Sequence, residues 1–129
     1  MIVEHLSVYI SGALVYSALE VLWRGFTHWT MALTGGVCAI MLYMVFNINR
    51  MSFLKKLVLG TVVITTIEFI VGIIVNLGLG WHVWDYSSQK YHVLGQICPK
   101  FVLYWFLLNI PVFLFCKGIR IIFTRLERQ

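Results

Sequence analysis

Long apolar stretches alternate with short polar breaks along the chain, at a spacing that matches a bilayer. Predominantly apolar runs cover residues 3–23, 29–46, 57–79 and 97–123, each close to the roughly 20 residues that a helix rising about 1.5 Å per residue needs to cross hydrocarbon. The pattern predicts an all-α, polytopic membrane protein with four transmembrane helices. Little lies outside the runs and their connections, so residues 1–129 are expected to form a single four-helix transmembrane domain. No soluble catalytic domain, long linker or low-complexity tail is expected. The first run lacks the basic start and cleavage site of a signal peptide and carries Glu20 inside it, which predicts a retained helix.

Composition agrees: 60% of the residues are apolar and 12% charged, against about 25% charged in soluble domains. The basic residues divide unevenly. Arg50, Lys55, Lys56, Lys117, Arg120, Arg125 and Arg128 fall on one predicted side and Arg24, Lys90 and Lys100 on the other, which predicts both termini in the cytoplasm. The net charge of +5 then belongs to a rim facing anionic lipid. No stacking platform or recognition motif accompanies it, so no nucleic acid partner is expected. The expected location is integral to a membrane, with the bacterial inner (plasma) membrane as the specific expectation. Cys38, Cys98 and Cys116 are odd in number and lie at different depths, which argues against a disulfide framework.

All five Trp, at 23, 29, 81, 84 and 105, fall toward the predicted outer side with Tyr86 and Tyr91. An aromatic belt accounts for part of this, but a belt ordinarily marks both faces. The outer end therefore reads as specialised, and the segment GWHVWDYSSQKYHVLGQICPKF at 80–101 carries most of its polar chemistry.

Acidic groups inside the runs need partners, because an ionisable side chain in hydrocarbon costs about 3 kcal/mol or more. Glu20 precedes Arg24 by one helical turn, a spacing that predicts an ion pair on one helix face. Glu68 lies near the middle of the third run with no basic residue within reach on its own helix. Its face continues as Thr65, Glu68, Gly72 and Asn76, a polar and small stripe that must meet protein or water. A second stripe, Ala13, Ser17, Glu20 and Arg24, marks the first run. In the second run the stripe is His28, Ala32, Gly35 or Gly36, and Ala39, and its Gly36 side predicts a close helix-packing surface. Cys98, Trp105 and Asn109 lie on one side of the fourth run, where Pro111 predicts a kink near Leu107.

These faces combine into an expected polar cavity open to the outside, lined by Glu20, Arg24, His28, Glu68, Asn76, Trp84, Asp85 and Tyr86, with Trp29 and Asn109 completing the candidate ligand-binding set. Trp84 and Tyr86 would roof it, and Gly95 with Pro99 would return the chain to the membrane. The plainer alternative for Asp85 is the cap of a short turn with Ser87 and Ser88. The first and third runs each carry Glu after Leu or Ile, then Gly, then a Trp-containing turn. That order suggests a pseudo-repeat of two hairpins.

Glu20, WRGFTHW at 23–29, GGVC at 35–38, Glu68 with Gly72, WDYS at 84–87 and GQICPKF at 95–101 together resemble the ABC-transporter type IV (CmpB-like) family of small membrane proteins, over most of the chain. The resemblance implies a multi-helix integral membrane protein of permease-like, transport-related character. No GxxxxGK[ST] phosphate loop occurs, so an ATPase would be a separate subunit.

Three functions compete. The first is a binding or transport protein with an acidic, aromatic-capped cavity for a small polar or cationic ligand or a lipid headgroup, linked to protons or cations through Glu68 and Glu20. It needs no cofactor, and since four helices seldom enclose a whole pathway it predicts a homodimer. The second is an accessory subunit, its polar cluster structural and its aromatic rim meeting a larger membrane partner. The third is an intramembrane enzyme or metal site built from His28, Glu20, Glu68 and Asp85, or from His28 beside Cys98, without the motifs that usually mark one.

Overall fold

Apolar runs bounded by basic and aromatic residues become helices because a bilayer leaves the backbone no other partner for its polar groups. The computed structural model describes residues 2–129 and contains four helices long and apolar enough to cross a membrane. Helix α1 spans Ile2–Arg24, α2 Trp29–Phe46, α3 Phe53–Gly72 and α4 Pro99–Glu127. Beyond Gly72, α3 continues as a wider-wound π-helical turn, Ile73–Gly78. Among the described residues no β-strand forms, and an isolated bridge joins Val93 to Ile97.

The helix ends show where sequence and structure part. Helix α3 starts earlier than expected because Ser52 caps it, accepting a hydrogen bond from the Lys55 amide at 3.3 Å. Helix α4 begins at Pro99, which suits a first turn because that position has no amide to lose. It continues past the apolar run to Glu127, since a basic final stretch keeps its backbone bonds beyond the hydrocarbon. Pro111 lies inside α4, which remains one helix from end to end.

Close packing joins α1 to α2 at the small residues. A Cβ on Gly35 would lie 2.6 Å from the Tyr16 Cβ, and one on Gly36 would meet the Tyr9 ring at 2.6 Å. These contacts leave no room for larger residues, and dispersion across such an interface is what holds helices together in lipid. Helices α3 and α4 are joined by Asn109, fully buried, whose amide donates to Thr61 Oγ1 at 3.1 Å and to the Leu57 carbonyl at 3.4 Å. One core cluster includes Val8, Leu42, Phe46, Ile64 and Cys116, and a second, of Met31, Val75, Val83 and Trp84, lies under the long loop.

Helices α1 and α4 approach each other at only a few points. Their side-chain bridges include Glu4 with Arg120, Tyr16 stacked on Trp105 at 5.8 Å and Trp23 edge-on to Tyr104 at 6.4 Å. Between those bridges the two helices flank an elongated gap, and the candidate site occupies it.

Candidate functional site between α1 and α4

Two adjoining hollows fill the gap. The deeper has a volume of about 350 Å³ and runs from Trp84, Glu68 and Trp105 down to Val8 and Cys116. The second, about 490 Å³, opens at the Trp-rich end among Glu20, Trp23, Arg24, Tyr86, Phe101 and Tyr104. They share the walls Tyr16, Leu19, Met31, Trp84, Trp105 and Leu108. Aliphatic and aromatic groups dominate the lining, so the site is an apolar cleft carrying a few polar groups at one end, less polar than the sequence pattern implied.

Glu68 is the acid at the junction. It is 7% exposed, its Oε1 accepts from the Tyr86 hydroxyl at 2.9 Å, and its Oε2 accepts from Trp105 Nε1 at 3.0 Å. Each carboxyl oxygen thus has one neutral donor, and among the described residues Glu68 forms no ion pair. One turn away on α3, Thr65 Oγ1 is buried without a hydrogen-bond partner among the described residues.

Glu20 and Arg24 form the anticipated pair, with Arg24 Nε 2.6 Å from Glu20 Oε2. Arg24 also donates through Nη1 to the Val83 carbonyl at 2.7 Å and stacks on Phe26 at 4.5 Å. Its Nη2 is buried with no hydrogen-bond partner among the described residues.

The loop over the site is fixed by amide chemistry. Asn76 Oδ1 accepts from the Val83 and Trp84 amides at 2.7 and 3.3 Å, and its Nδ2 donates to Gln96 Oε1 at 2.8 Å. Gln96 Nε2 donates to the Leu94 carbonyl at 2.9 Å, and Trp84 Nε1 donates to the Gln96 carbonyl at 3.1 Å. The Tyr86 amide closes on the Gly95 carbonyl at 2.7 Å. Gly95 has φ of 72°, and a Cβ there would lie 2.8 Å from Asp85 Oδ1, so the turn requires glycine. Tyr86 stacks on Phe101 with ring centroids 4.5 Å apart. Trp84 and Tyr86 are therefore held at the roof of the hollow by bonds that their own loop makes.

Of the ten sequence candidates, Glu20, Arg24, Glu68, Trp84, Tyr86 and Asn109 border the two hollows. The other four, Asn76, Asp85, His28 and Trp29, lie elsewhere, each for a local reason. Asn76 spends both side-chain groups on the loop. Asp85 is exposed, accepting from the Ser87 amide at 2.9 Å and the Ser87 hydroxyl at 2.9 Å, and these bonds hold its carboxyl below the usual carboxylate pKa. That is the turn cap foreseen as its plainer role. His28 caps α2, with Nδ1 accepting from the Thr30 amide at 3.3 Å, and its ring joins Trp29 and Trp81 in an aromatic cluster at the rim.

Sequence reasoning passed over Tyr16, Leu108 and the role of Trp105 as walls, since an apolar residue on an apolar helix carries no mark of which neighbour it faces. It also missed Glu4. That residue is 1% exposed, accepts from the Tyr43 hydroxyl and pairs with Arg120 at 2.9 Å, closing the gap at the end away from the loop. Among the described residues no three His, Cys, Asp or Glu side chains gather as a metal site.

A family model described as "Putative ABC-transporter type IV" matches residues 3–128. The chain belongs to that family. The match runs through all four helices and the loop, so the gap, its acid and its roof all lie within the family's extent. No curated protein and no solved structure matches at a significant level. Family and helices together make this a small, transport-related integral membrane protein.

Proposed function

We propose that this family member binds, and with a partner moves, an amphipathic cationic ligand in the hollow between α1 and α4, with Glu68 as the group that senses its charge. The observation that carries the reading is the buried Glu68 carboxyl, facing an apolar hollow with two neutral donors and no ion pair among the described residues. A carboxyl placed so has two ways to settle its charge, taking up a proton or meeting a cation. Exchange between the two would couple ligand to protons. Glu20, paired with Arg24 at the entrance, is the second acid of the path.

Four helices seldom enclose a whole pathway, which suits assembly with a second copy or a larger membrane partner on a face that leaves the gap between α1 and α4 open. The seven basic residues assigned above to one side support both termini in the cytoplasm, and the bacterial inner membrane is the proposed setting. A cysteine-accessibility map of the two ends tests the orientation.

Binding of dodecyltrimethylammonium to the purified full chain over about pH 4 to 9 tests the function. The wild type should bind more tightly as pH rises, because deprotonated Glu68 attracts the cation. Glu68→Gln should bind more weakly and without that pH dependence. Equal binding and equal pH profiles in the two proteins would end the proposal.

The accessory-subunit reading draws on a different observation, the Arg24 bond to the Val83 carbonyl, which ties α1 to the loop as a strut. It is favoured if Arg24→Ala lowers stability while dodecyltrimethylammonium binding is kept.

A further inference from the structure

The hollow has a shape as well as an acid. Its α1 wall runs from Val8 to Leu19, a length of about 16 Å along a helix. A volume of about 350 Å³ spread over that length gives a mean section of about 20 Å², enough for one extended hydrocarbon chain. A helix, about 10–12 Å across with its side chains, does not enter such a space. The wall chemistry is graded along the same axis. Val8, Val15, Leu42, Ile64, Val112 and Phe115 line the lower part. Of the polar groups there, Thr34 Oγ1 donates to the Thr30 carbonyl at 2.7 Å and Asn109 Nδ2 is spent on α3, while Asn109 Oδ1 is buried without a hydrogen-bond partner among the described residues.

Charge is concentrated at the loop end. Glu20 and Arg24 stand side by side in the wider hollow, their side chains 14% and 20% exposed, and offer a negative group to an ammonium and a positive one to a phosphate. Trp23, Phe101 and Tyr104 border the same space, and aromatic faces favour an ammonium. Access is from the side, because the gap lies between two membrane-crossing helices.

We infer that the ligand is a single-chain amphiphile whose head carries both an ammonium and a phosphate group, with its tail lying between α1 and α4 and its head at Glu20 and Arg24. This rests on the binding function above and names its ligand class. Such a molecule leaves the bilayer sideways, without its chain crossing water. Each methylene seated in the hollow exchanges lipid for protein contacts at little net cost, so selectivity comes from the head and from the single-chain width.

The test uses the full chain in diacylphosphatidylcholine nanodiscs titrated with radiolabelled dodecanoyl lysophosphatidylethanolamine. Saturable binding at one per chain is expected. Leu108→Trp, which fills the neck shared by both hollows, should weaken it at least tenfold, while Leu114→Trp, exposed on the same helix, should leave it unchanged. Should Leu108→Trp fail to fold, Glu20→Gln serves instead. It keeps the volume and should weaken this probe about tenfold while dodecyl phosphate, relieved of the neighbouring carboxylate, binds as well as or better than before.

Unsaturable partitioning, equal binding by the two Trp variants, or equal loss of both probes in Glu20→Gln would overturn the inference. So would efficient cross-linking between copies carrying Val15→Cys, because a second copy would then fill the gap. If dodecyltrimethylammonium binds in a Glu68-dependent manner and the lysolipid does not, the ligand class is wrong and the binding function stands. If neither binds, both fall.

Discussion

Glu68 shows at the residue scale how an acid is tolerated in the bundle: Tyr86 and Trp105 each give one donor to one oxygen. Removing the hydroxyl in Tyr86→Phe should cost about 1–3 kcal/mol, the range for a bond to an acid with its partner left buried, read as a lower melting temperature in detergent. Glu68→Gln should retain most of that stability, which separates its folding role from its effect on ligand. Glu4 is the counterpart at the other end. Glu4→Gln should cost about 2 kcal/mol through the weakened bonds to Tyr43 and Arg120; a variant as stable as wild type would show that the clasp contributes nothing. The Glu20–Arg24 pair was legible because partners four apart on a helix must meet. Glu4 and Arg120 lie 116 residues apart, and no local spacing announces their contact.

Asp85 adds a pH dependence of known sign. Its carboxyl sits below the usual range because Ser87 donates to it twice. Whatever the turn contributes is therefore complete above the ordinary carboxylate pKa of about 3.9 and is lost as pH falls through the lower folded value. The Ser87 amide resonance should hold its position from about pH 7 down to 4 and move only below that. Movement already near pH 5 would contradict the assignment.

Among the elements, the α1–α2 pair depends on small residues more than on any polar bond. In Gly36→Leu the first added carbon already meets the Tyr9 ring at 2.6 Å, so the ring must be driven out of its packing against α2. The expected cost is about 1–3 kcal/mol or more, measured by thermal melting. That surface was legible in the run of Gly and Ala, since little else explains such residues inside an apolar helix. The loop was legible only in part. Its Trp, Tyr and Gly suggested a roof, yet the clamp is Asn76 with Gln96. An amide on the extended polar stripe of α3 reads the same whether it faces a cavity or a backbone. The π-helical turn at Ile73–Gly78 had no sequence signal, being set by the loop bonds that follow it. Asn76→Ala should release the loop and speed hydrogen exchange at the Val83 and Trp84 amides, while leaving exchange across α1 and α2 unchanged.

For the whole molecule, the four spans followed from length and hydropathy because the bilayer imposes one length on every crossing helix. The arrangement of the helices did not follow. In lipid every apolar face is acceptable outside, so nothing in the sequence of α1 or α4 states that the two meet at only a few points. The gap between those points gives the molecule its hollow. Four helices are few for a whole pathway, so under the proposed function the chain should run in lipid nanodiscs as a dimer or larger assembly by mass photometry, joined on a face other than the gap. A strict monomer that still binds ligand would remove the need for a partner.

An experimental structure in a lipid bilayer tests the central claim most directly. It should show the hollow beside the Tyr16–Trp105 stack kept open between α1 and α4 from Trp84 to Val8, with one elongated density in it ending at the Glu68, Glu20 and Arg24 groups. Helices α1 and α4 closed on each other, with Glu68 enclosed by packed side chains and no space beside it, would contradict the account.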